Sequence, residues 1–222
     1  MSVSIVRRLI AKDLYVLRPM MIGALVVGGI GVGLLPFGET EFLVGWLLLF
    51  IAALLLGIFT TAVGVITERK EKAHLFVLTL PTSPTQYTVA KLAANGIAFF
   101  VPWVVLSVAA LAVIAATPIP DGLMPFIAAL MLYVVCYHSA YLAVALVTDS
   151  VVLSTIVIIV GNTAPVFLIP AMFRLLYLGA EPAAAGPIWT PTVLSILALE
   201  AVLGVAMLAV AIFIRSRQRD FA

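Results

Sequence analysis

The sequence predicts an all-α membrane protein with about six transmembrane helices, an amphipathic helix before the first of them and a further cytoplasmic helix between the second and third. Of its 222 residues, 64% are hydrophobic and only 10% are charged, whereas a soluble domain has about 25% charged residues. A soluble fold of this size could not bury so much apolar surface. The apolar residues form long runs, and the basic residues gather between alternate runs. A lipid bilayer explains the apolar composition, the long apolar runs and the grouping of the basic residues.

The first nineteen residues predict an amphipathic helix that lies in the headgroup layer of the membrane. On a helical wheel, the basic side chains fall on one arc and the aliphatic side chains on the other. Asp13 lies on the apolar arc without a basic partner four residues away. It either reaches the interface or contacts another helix or subunit. Pro19 is predicted to end this helix. The basic residues are Arg7, Arg8, Lys12 and Arg18.

Six apolar runs follow, each long enough to cross a bilayer core of about 30 Å. The last run has an acidic residue in its middle, Glu200, and the first five have no Asp, Glu, Lys or Arg there. A single cysteine, Cys136, excludes an intrachain disulfide and a cysteine-based metal cage. The chain is therefore predicted to be one transmembrane domain over residues 1–222. The predicted spans are 20–37, 42–67, 92–117, 123–148, 151–170 and 192–214.

The distribution of Lys and Arg predicts the orientation, because cytoplasmic connections carry an excess of both. With the N-terminus inside, eleven of the 12 basic residues fall on the inner side and only Arg174 falls outside. An even number of spans then places both termini in the cytoplasm.

The connection between spans two and three, TERKEKAHLFVLTLPTSPTQYTVAKL over residues 67–92, is much longer than a simple connector. Consecutive charges open it and an apolar group follows. Pro81 is predicted to end a short helix, and Ser83, Pro84 and Gln86 form the start signal of the next one. We expect a helix–turn–helix on the cytoplasmic face over residues 68–91. It is either a docking surface or an inert surface helix.

This segment resembles the permease subunits of ABC-2 type transporters, through its charged cluster, its LPTSP turn and the following AKL sequence. The RRLIAKDLYVLRP start, the six spans and the irregular segment over residues 171–191 are also similar to that family. The resemblance implies an interfacial elbow helix and a coupling helix that docks into a separate ATPase subunit. It also implies short re-entrant helices at 171–191, with Arg174 and Glu181 near the polar rim of that segment. The residues implied to face or flank the ATPase are Glu68, Arg69, Lys70, Glu71, Lys72 and His74, and those implied to set the turn are Leu78, Leu80 and Pro81.

The resemblance implies the membrane subunit of an ATP-driven transporter, an exporter, in the inner membrane of a bacterial cell. A second copy or a similar permease would complete it. No G-x-x-x-x-G-K-[ST] sequence occurs in the chain, so we expect no ATP hydrolysis by the chain itself. ATP and Mg²⁺ would belong to the partner ATPase. No nucleic acid partner and no metal site are expected. Lipid, peptide, drug and small hydrophobic cation all remain open as substrates.

Five residues within the spans are candidates for a substrate path, or else for a packed interface. Glu200 is an acid inside a span, a functional hypothesis by default, and it supports an alternative function as a proton-coupled secondary transporter. Such carriers usually need more embedded ionisable groups and internal repeats. An intramembrane enzyme is less well supported, because the chain lacks H-E-x-x-H and G-x-S-x-G sequences. Gly29 and Gly33 have the spacing of a close helix contact, within the chain or in a dimer. The five path residues are Glu200, His138, Tyr133, Tyr137 and Tyr141.

Overall fold

The computed structural model describes residues 3–67, 84–148, 150–177 and 186–217. These residues are 93% helical and contain no strand. Six helices are long and apolar enough to cross a membrane, so the chain is a multi-pass membrane protein, as predicted. The helices are α1 Val3–Leu34, α2 Glu39–Thr61, α3 Pro84–Ala116, α4 Met124–Val147, α5 Val151–Leu176 and α6 Pro191–Arg217.

The first helix differs from the prediction, because Pro19 does not end it. The interfacial segment and the first span form one helix of 32 residues, with Pro19 inside it. Proline lacks the N–H that would bond to the carbonyl four residues earlier. In a membrane the neighbouring backbone hydrogen bonds still favour the helix, since unpaired groups in lipid are costly, and a single proline is tolerated.

Short irregular turns join the helices in the described ranges. A 3-10 turn, Leu35–Phe37, leads to Gly38, whose φ of 155° favours glycine. The carbonyl of Gly38 accepts a hydrogen bond from the N–H of Phe42 at 2.8 Å. α2 ends in a π-helical segment, Ala62–Thr67, and a second 3-10 turn, Asp121–Leu123, precedes α4. The hydroxyl of Ser150 caps α5 by accepting from the N–H of Leu153 at 3.2 Å.

The fifth helix is longer than predicted and ends at Leu176 instead of Pro170. The start of the segment predicted as re-entrant is therefore helical, and Arg174 is exposed in the last turn of α5. The hydroxyl of Tyr177 donates to the carbonyl of Gly122 at 2.7 Å, and burial raises the pKa of Tyr177 to about 12. Residues 178–185, with Glu181, lie outside the described ranges, so the re-entrant structure stays a prediction.

Helix α4 is the centre of the bundle and packs against α2, α3, α5 and α6. In its most apolar stretch 61% of the residues are buried, against 17% in α5 and 11% in α6. The core is apolar and includes Phe50, Phe99, Leu106, Leu130 and Val134. α1 packs on α2 and α3 at the side of this core.

Candidate functional site

Buried polar side chains gather at one end of the bundle. We call it the 68–83 end, because there α2 finishes and α3 begins, on either side of residues 68–83. All eight buried polar or charged residues of the described ranges lie in the halves of their helices nearer that end. Burying a polar group is costly without a partner, so this grouping marks a candidate site. The eight are Asp13, Thr60, Thr61, Lys91, Asn95, His138, Ser139 and Ser154.

A buried ion pair joins α1 to α3. The Nζ atom of Lys91 lies 2.7 Å from the Oδ2 atom of Asp13, and the two side chains are only 4% and 5% exposed. Lys12 approaches the other carboxylate oxygen at 3.2 Å, but its side chain is 50% exposed. Of the two interpretations of Asp13, contact with another helix is therefore confirmed. Lys91, which the sequence assigned to the cytoplasmic connection, lies within α3.

Asn95 extends this contact by one helical turn. Its amide nitrogen donates to the carbonyl of Lys91 at 3.1 Å, while its buried oxygen has no hydrogen-bond partner in the structure. The amide also packs against Gly64 in the π-helical end of α2, where an added Cβ would lie 2.8 Å from the amide nitrogen. The chain just before and just after residues 68–83 thus meets at Asn95.

His138 lies deeper in the bundle, between α2 and α3. Its ring stacks on Phe99 with the centroids 3.9 Å apart and the planes at 17°. The Nδ1 atom lies 3.3 Å from the carbonyl of Gly57, and since a carbonyl only accepts, Nδ1 is assigned as the donor. The Nε2 atom is buried without a hydrogen-bond partner in the structure. His138 therefore faces the same interior as Asn95.

Two of the three tyrosines predicted for the path, Tyr133 and Tyr137, face a different helix from His138. The hydroxyl of Tyr133 donates to the carbonyl of Gly161 on α5 at 2.6 Å. The ring of Tyr137 covers the same glycine, and its hydroxyl accepts from Asn162 at 3.4 Å. Tyr141 is buried. Tyr133 and Tyr137 thus serve helix packing between α4 and α5, on a side of α4 different from that of His138.

Glu200, on α6, faces a third side of α4. Its carboxylate is partly buried, and the Oε2 atom has no hydrogen-bond partner in the structure. The thiol of Cys136 donates to the backbone carbonyl of Glu200 at 2.8 Å. One turn further, the hydroxyl of Ser139 would lie 3.5 Å from a Cβ at Gly204. The described protomer therefore does not bring Glu200, His138 and the tyrosines to one surface, and the substrate path stays a prediction.

The residues predicted to contact an ATPase, Glu68 to Pro81, lie outside the described ranges. The described part of helix α3 begins at Pro84, so the start signal at Ser83, Pro84 and Gln86 stays a prediction. In α1, a Cβ at Gly29 or Gly33 would meet nothing within 4 Å. That spacing therefore serves no close contact between the described helices, and the dimer seam stays a prediction. Within the described ranges, no group of His, Cys, Asp and Glu could hold a metal ion.

Sequence reasoning missed Lys91 and Asn95 as members of a site. Lys91 was counted only as an inner positive charge, and Asn95 is a single polar residue in an apolar run. One signal was present: Asp13 on the apolar arc of an amphipathic helix needed a cation from elsewhere in the fold. The sequence could not say which of the cations supplied it.

The chain, with its six apolar helices and the long connection between the second and third, matches one known protein family. The family described as "ABC-2 family transporter protein" matches residues 38–213. The chain belongs to this ABC-2 transporter family. It is a membrane permease component of an ABC transporter, with a role in transport and not in catalysis. No curated protein and no solved structure matches the chain. The family match begins after α1, so it includes Lys91 but not Asp13.

Proposed function

We propose that this ABC-2 permease is the transmembrane subunit of an ATP-driven exporter, moved by a separate ATPase that binds residues 68–83. The observation that carries the proposal is the family match over residues 38–213. An ABC transporter needs ATP hydrolysis, and this chain has no P-loop sequence. ATP and Mg²⁺ would therefore be bound by the partner, and the permease would only respond to it.

The choice of residues 68–83 as the docking segment rests on charge and on what flanks it. Five consecutive charged residues of both signs, Glu68 to Lys72, suit a polar protein interface more than a membrane contact. On both sides the flanking chain is anchored in the core, by Gly64 against Asn95 and by Lys91 against Asp13. A protein that moved this segment would therefore also act on the two flanking helices, which are packed in the core.

The remaining parts of the proposal concern the surroundings of the chain. The excess of basic residues on one side supports cytoplasmic termini in a bacterial inner membrane. A second copy or a similar permease would complete the translocation path, because α5 and α6 are little buried in the protomer and the candidate path residues do not meet within it. Export rests on the resemblance to the family.

The first experiment is affinity purification of the tagged chain from its native membrane in mild detergent, followed by mass spectrometry and an ATPase assay. We expect a P-loop ATPase to co-purify. The variants Glu71→Ala and Leu78→Asp should reduce its recovery at least fivefold. Glu41→Ala is the matched control, since Glu41 is an exposed acid at the opposite end of the bundle.

Two results would contradict the proposal. One is a wild-type chain that purifies without any ATPase. The other is equal recovery of the ATPase with Glu71→Ala, Leu78→Asp and the control, which would place the docking surface elsewhere.

One observation favours the alternative of proton-coupled transport: Glu200 has a buried carboxylate oxygen with no hydrogen-bond partner in the structure. If the chain arrives alone, Glu200→Gln becomes the next variant. Proton flux into liposomes, followed with a pH-sensitive dye, should then be lost in Glu200→Gln and kept in Glu41→Gln. Equal flux in both would exclude Glu200 as the proton carrier.

A further inference from the structure

We propose that the buried Asp13–Lys91 pair is the positioning link through which movement of residues 68–83 reaches the first half of α1. This inference rests on the proposed function, in which an ATPase moves that segment. Neither Asp13 nor Lys91 needs to touch the ATPase or the substrate. Their role would be to make the start of α1 follow the start of α3.

Stability alone does not explain the pair. An ion pair gains little over apolar side chains when it is buried, because both charges lose their water. The same two helices also meet through apolar packing, with Gly28 on α1 against Leu106 on α3. Burying charged side chains is costly even when they are paired. A pair with both side chains at most 5% exposed therefore calls for a role beyond packing.

The two helices keep one register along both of these contacts. Asp13 is opposite Lys91, and Gly28 is opposite Leu106, so both contacts have the same offset in sequence, 91−13 = 106−28 = 78. The helices are therefore parallel, with two contacts separated by about 22 Å at 1.5 Å per residue. The Gly28 contact holds the second half of α1, and the ion pair holds the first half.

Pro19 lies between these two contacts. It interrupts the hydrogen-bond ladder of α1 because it has no N–H. Proline positions are the usual places where helices bend. The first half of α1 can therefore tilt about Pro19 while Gly28 stays packed on Leu106. The pair is a charged contact that holds that half to α3.

Lys91 lies close in sequence to residues 68–83. Lys91 lies eight residues after position 83, two turns into α3, and Asn95 joins its carbonyl to the π-helical end of α2 through Gly64. Short π-helical turns are less regular than α-helix and are frequent at functional sites. Movement of residues 68–83 would thus act on Lys91 directly and on Asn95 from the other side.

The test measures the position of the first half of α1 by pulsed EPR in the complex with its co-purified ATPase. Spin labels are placed at Ala11→Cys and Val108→Cys, which are both exposed, in a Cys136→Ser background. Distances are recorded without nucleotide and after trapping with Mg-ATP and vanadate. The variants are Asp13→Asn, Lys91→Met and the charge exchange Asp13→Lys with Lys91→Asp. Lys12→Met is the control, because Lys12 contacts the same carboxylate from an exposed position.

We expect trapping to shift the wild-type distance. Each single variant should reduce that shift at least threefold and broaden the distribution at least twofold without nucleotide. The charge exchange should restore most of the shift, and Lys12→Met should leave it unchanged. A purely structural role would broaden the distribution but would not remove the response to the nucleotide. If the single variants fold poorly, the charge exchange still decides, since it keeps a pair with reversed polarity.

The results that overturn the link differ from those that overturn the proposed function. A co-purified ATPase together with an equal shift in wild type and the single variants removes the link and leaves the function standing. A co-purified ATPase with no shift in wild type does the same. A chain that brings no ATPase overturns both, because the pair would then have no movement of that origin to transmit.

Discussion

The two ends of the helix bundle are built in different ways. At the 68–83 end, eight polar side chains of the described residues are buried, and two of them form an ion pair. At the opposite end the described core is apolar, and α1 and α2 meet at glycines: a Cβ added at Gly31 would lie 2.5 Å from the carbonyl oxygen of Gly45. Apolar helices gain no hydrophobic energy from each other in lipid, so close packing at small residues has to hold them.

The difference indicates that the opposite end provides the fixed part of the fold. Aromatic side chains fill it, with Trp46 near Phe50 and Phe126 at centroid distances of 5.1 and 6.1 Å. The indole nitrogen of Trp103 donates to the carbonyl of Met131 at 2.9 Å. Four buried polar atoms without partners among the described residues, on Thr61, Asn95, His138 and Ser139, lie toward the 68–83 end, and two, on Ser107 and Glu200, lie toward the opposite end. The larger number at the 68–83 end is suited to a second state with other contacts. Three variant pairs test this contrast.

The largest effect is expected from breaking the ion pair. Lys91→Met leaves the buried carboxylate of Asp13 with the exposed Lys12 as its remaining ion-pair partner among the described residues, which should cost about 3–5 kcal/mol of folding stability. Lys12→Met should cost about 0–1 kcal/mol, as for an exposed pair. Thermal unfolding in detergent, followed by tryptophan fluorescence, measures both. Equal effects would show that the buried pair is not special and would weaken the contrast between the ends.

The opposite end is tested by adding one methyl group. Gly31→Ala would place a Cβ 2.5 Å from the backbone oxygen of Gly45 and 2.8 Å from the nitrogen of Leu49. Backbone atoms cannot turn aside, so α1 and α2 must separate, at a cost of about 1–3 kcal/mol. Gly29→Ala meets nothing within 4 Å and should be neutral or slightly stabilising in the same unfolding assay. A tolerated Gly31→Ala would contradict the assignment of a fixed end.

The smallest effect concerns two neighbouring threonines at the 68–83 end. The hydroxyl of Thr60 donates to the carbonyl of Leu56 at 2.8 Å, whereas the buried hydroxyl of Thr61 has no partner in the structure. Thr60→Val should cost about 1 kcal/mol, and Thr61→Val should be neutral or stabilising. A neutral Thr61→Val that lowers the ATPase activity of the purified complex would assign the hydroxyl to function. A destabilising Thr61→Val would show that another group satisfies it in this state.

Much of the fold was predictable because lipid imposes a simple rule on the chain. Runs of about twenty apolar residues must be helices, and the six predicted spans correspond to the six helices. One local signal failed, because Pro19 did not end α1 in the membrane. The fifth helix also extended to Leu176, beyond the predicted bound of its span at residue 170.

The candidate site was less predictable, because its residues come together only through helix packing. The sequence identified Asp13 as misplaced and Glu200, His138 and the tyrosines as polar residues within spans. It did not show that His138 faces Gly57, that Tyr133 faces Gly161, or that Glu200 faces a third side of α4. Spacing along one helix gives the direction of each side chain but not the neighbour in that direction.

By itself the sequence determined the membrane class, the six spanning helices of the described ranges and the family, because composition, run length and the order of segments are properties of the chain. Only the tertiary structure decided that α4 is central, that Asp13 binds Lys91, and that the buried polar groups share one end of the bundle. The physical reason is that every helix is apolar on most of its surface. Hydrophobicity cannot then select a partner, and that choice falls to small residues and a few charges whose contacts exist only after the helices pack.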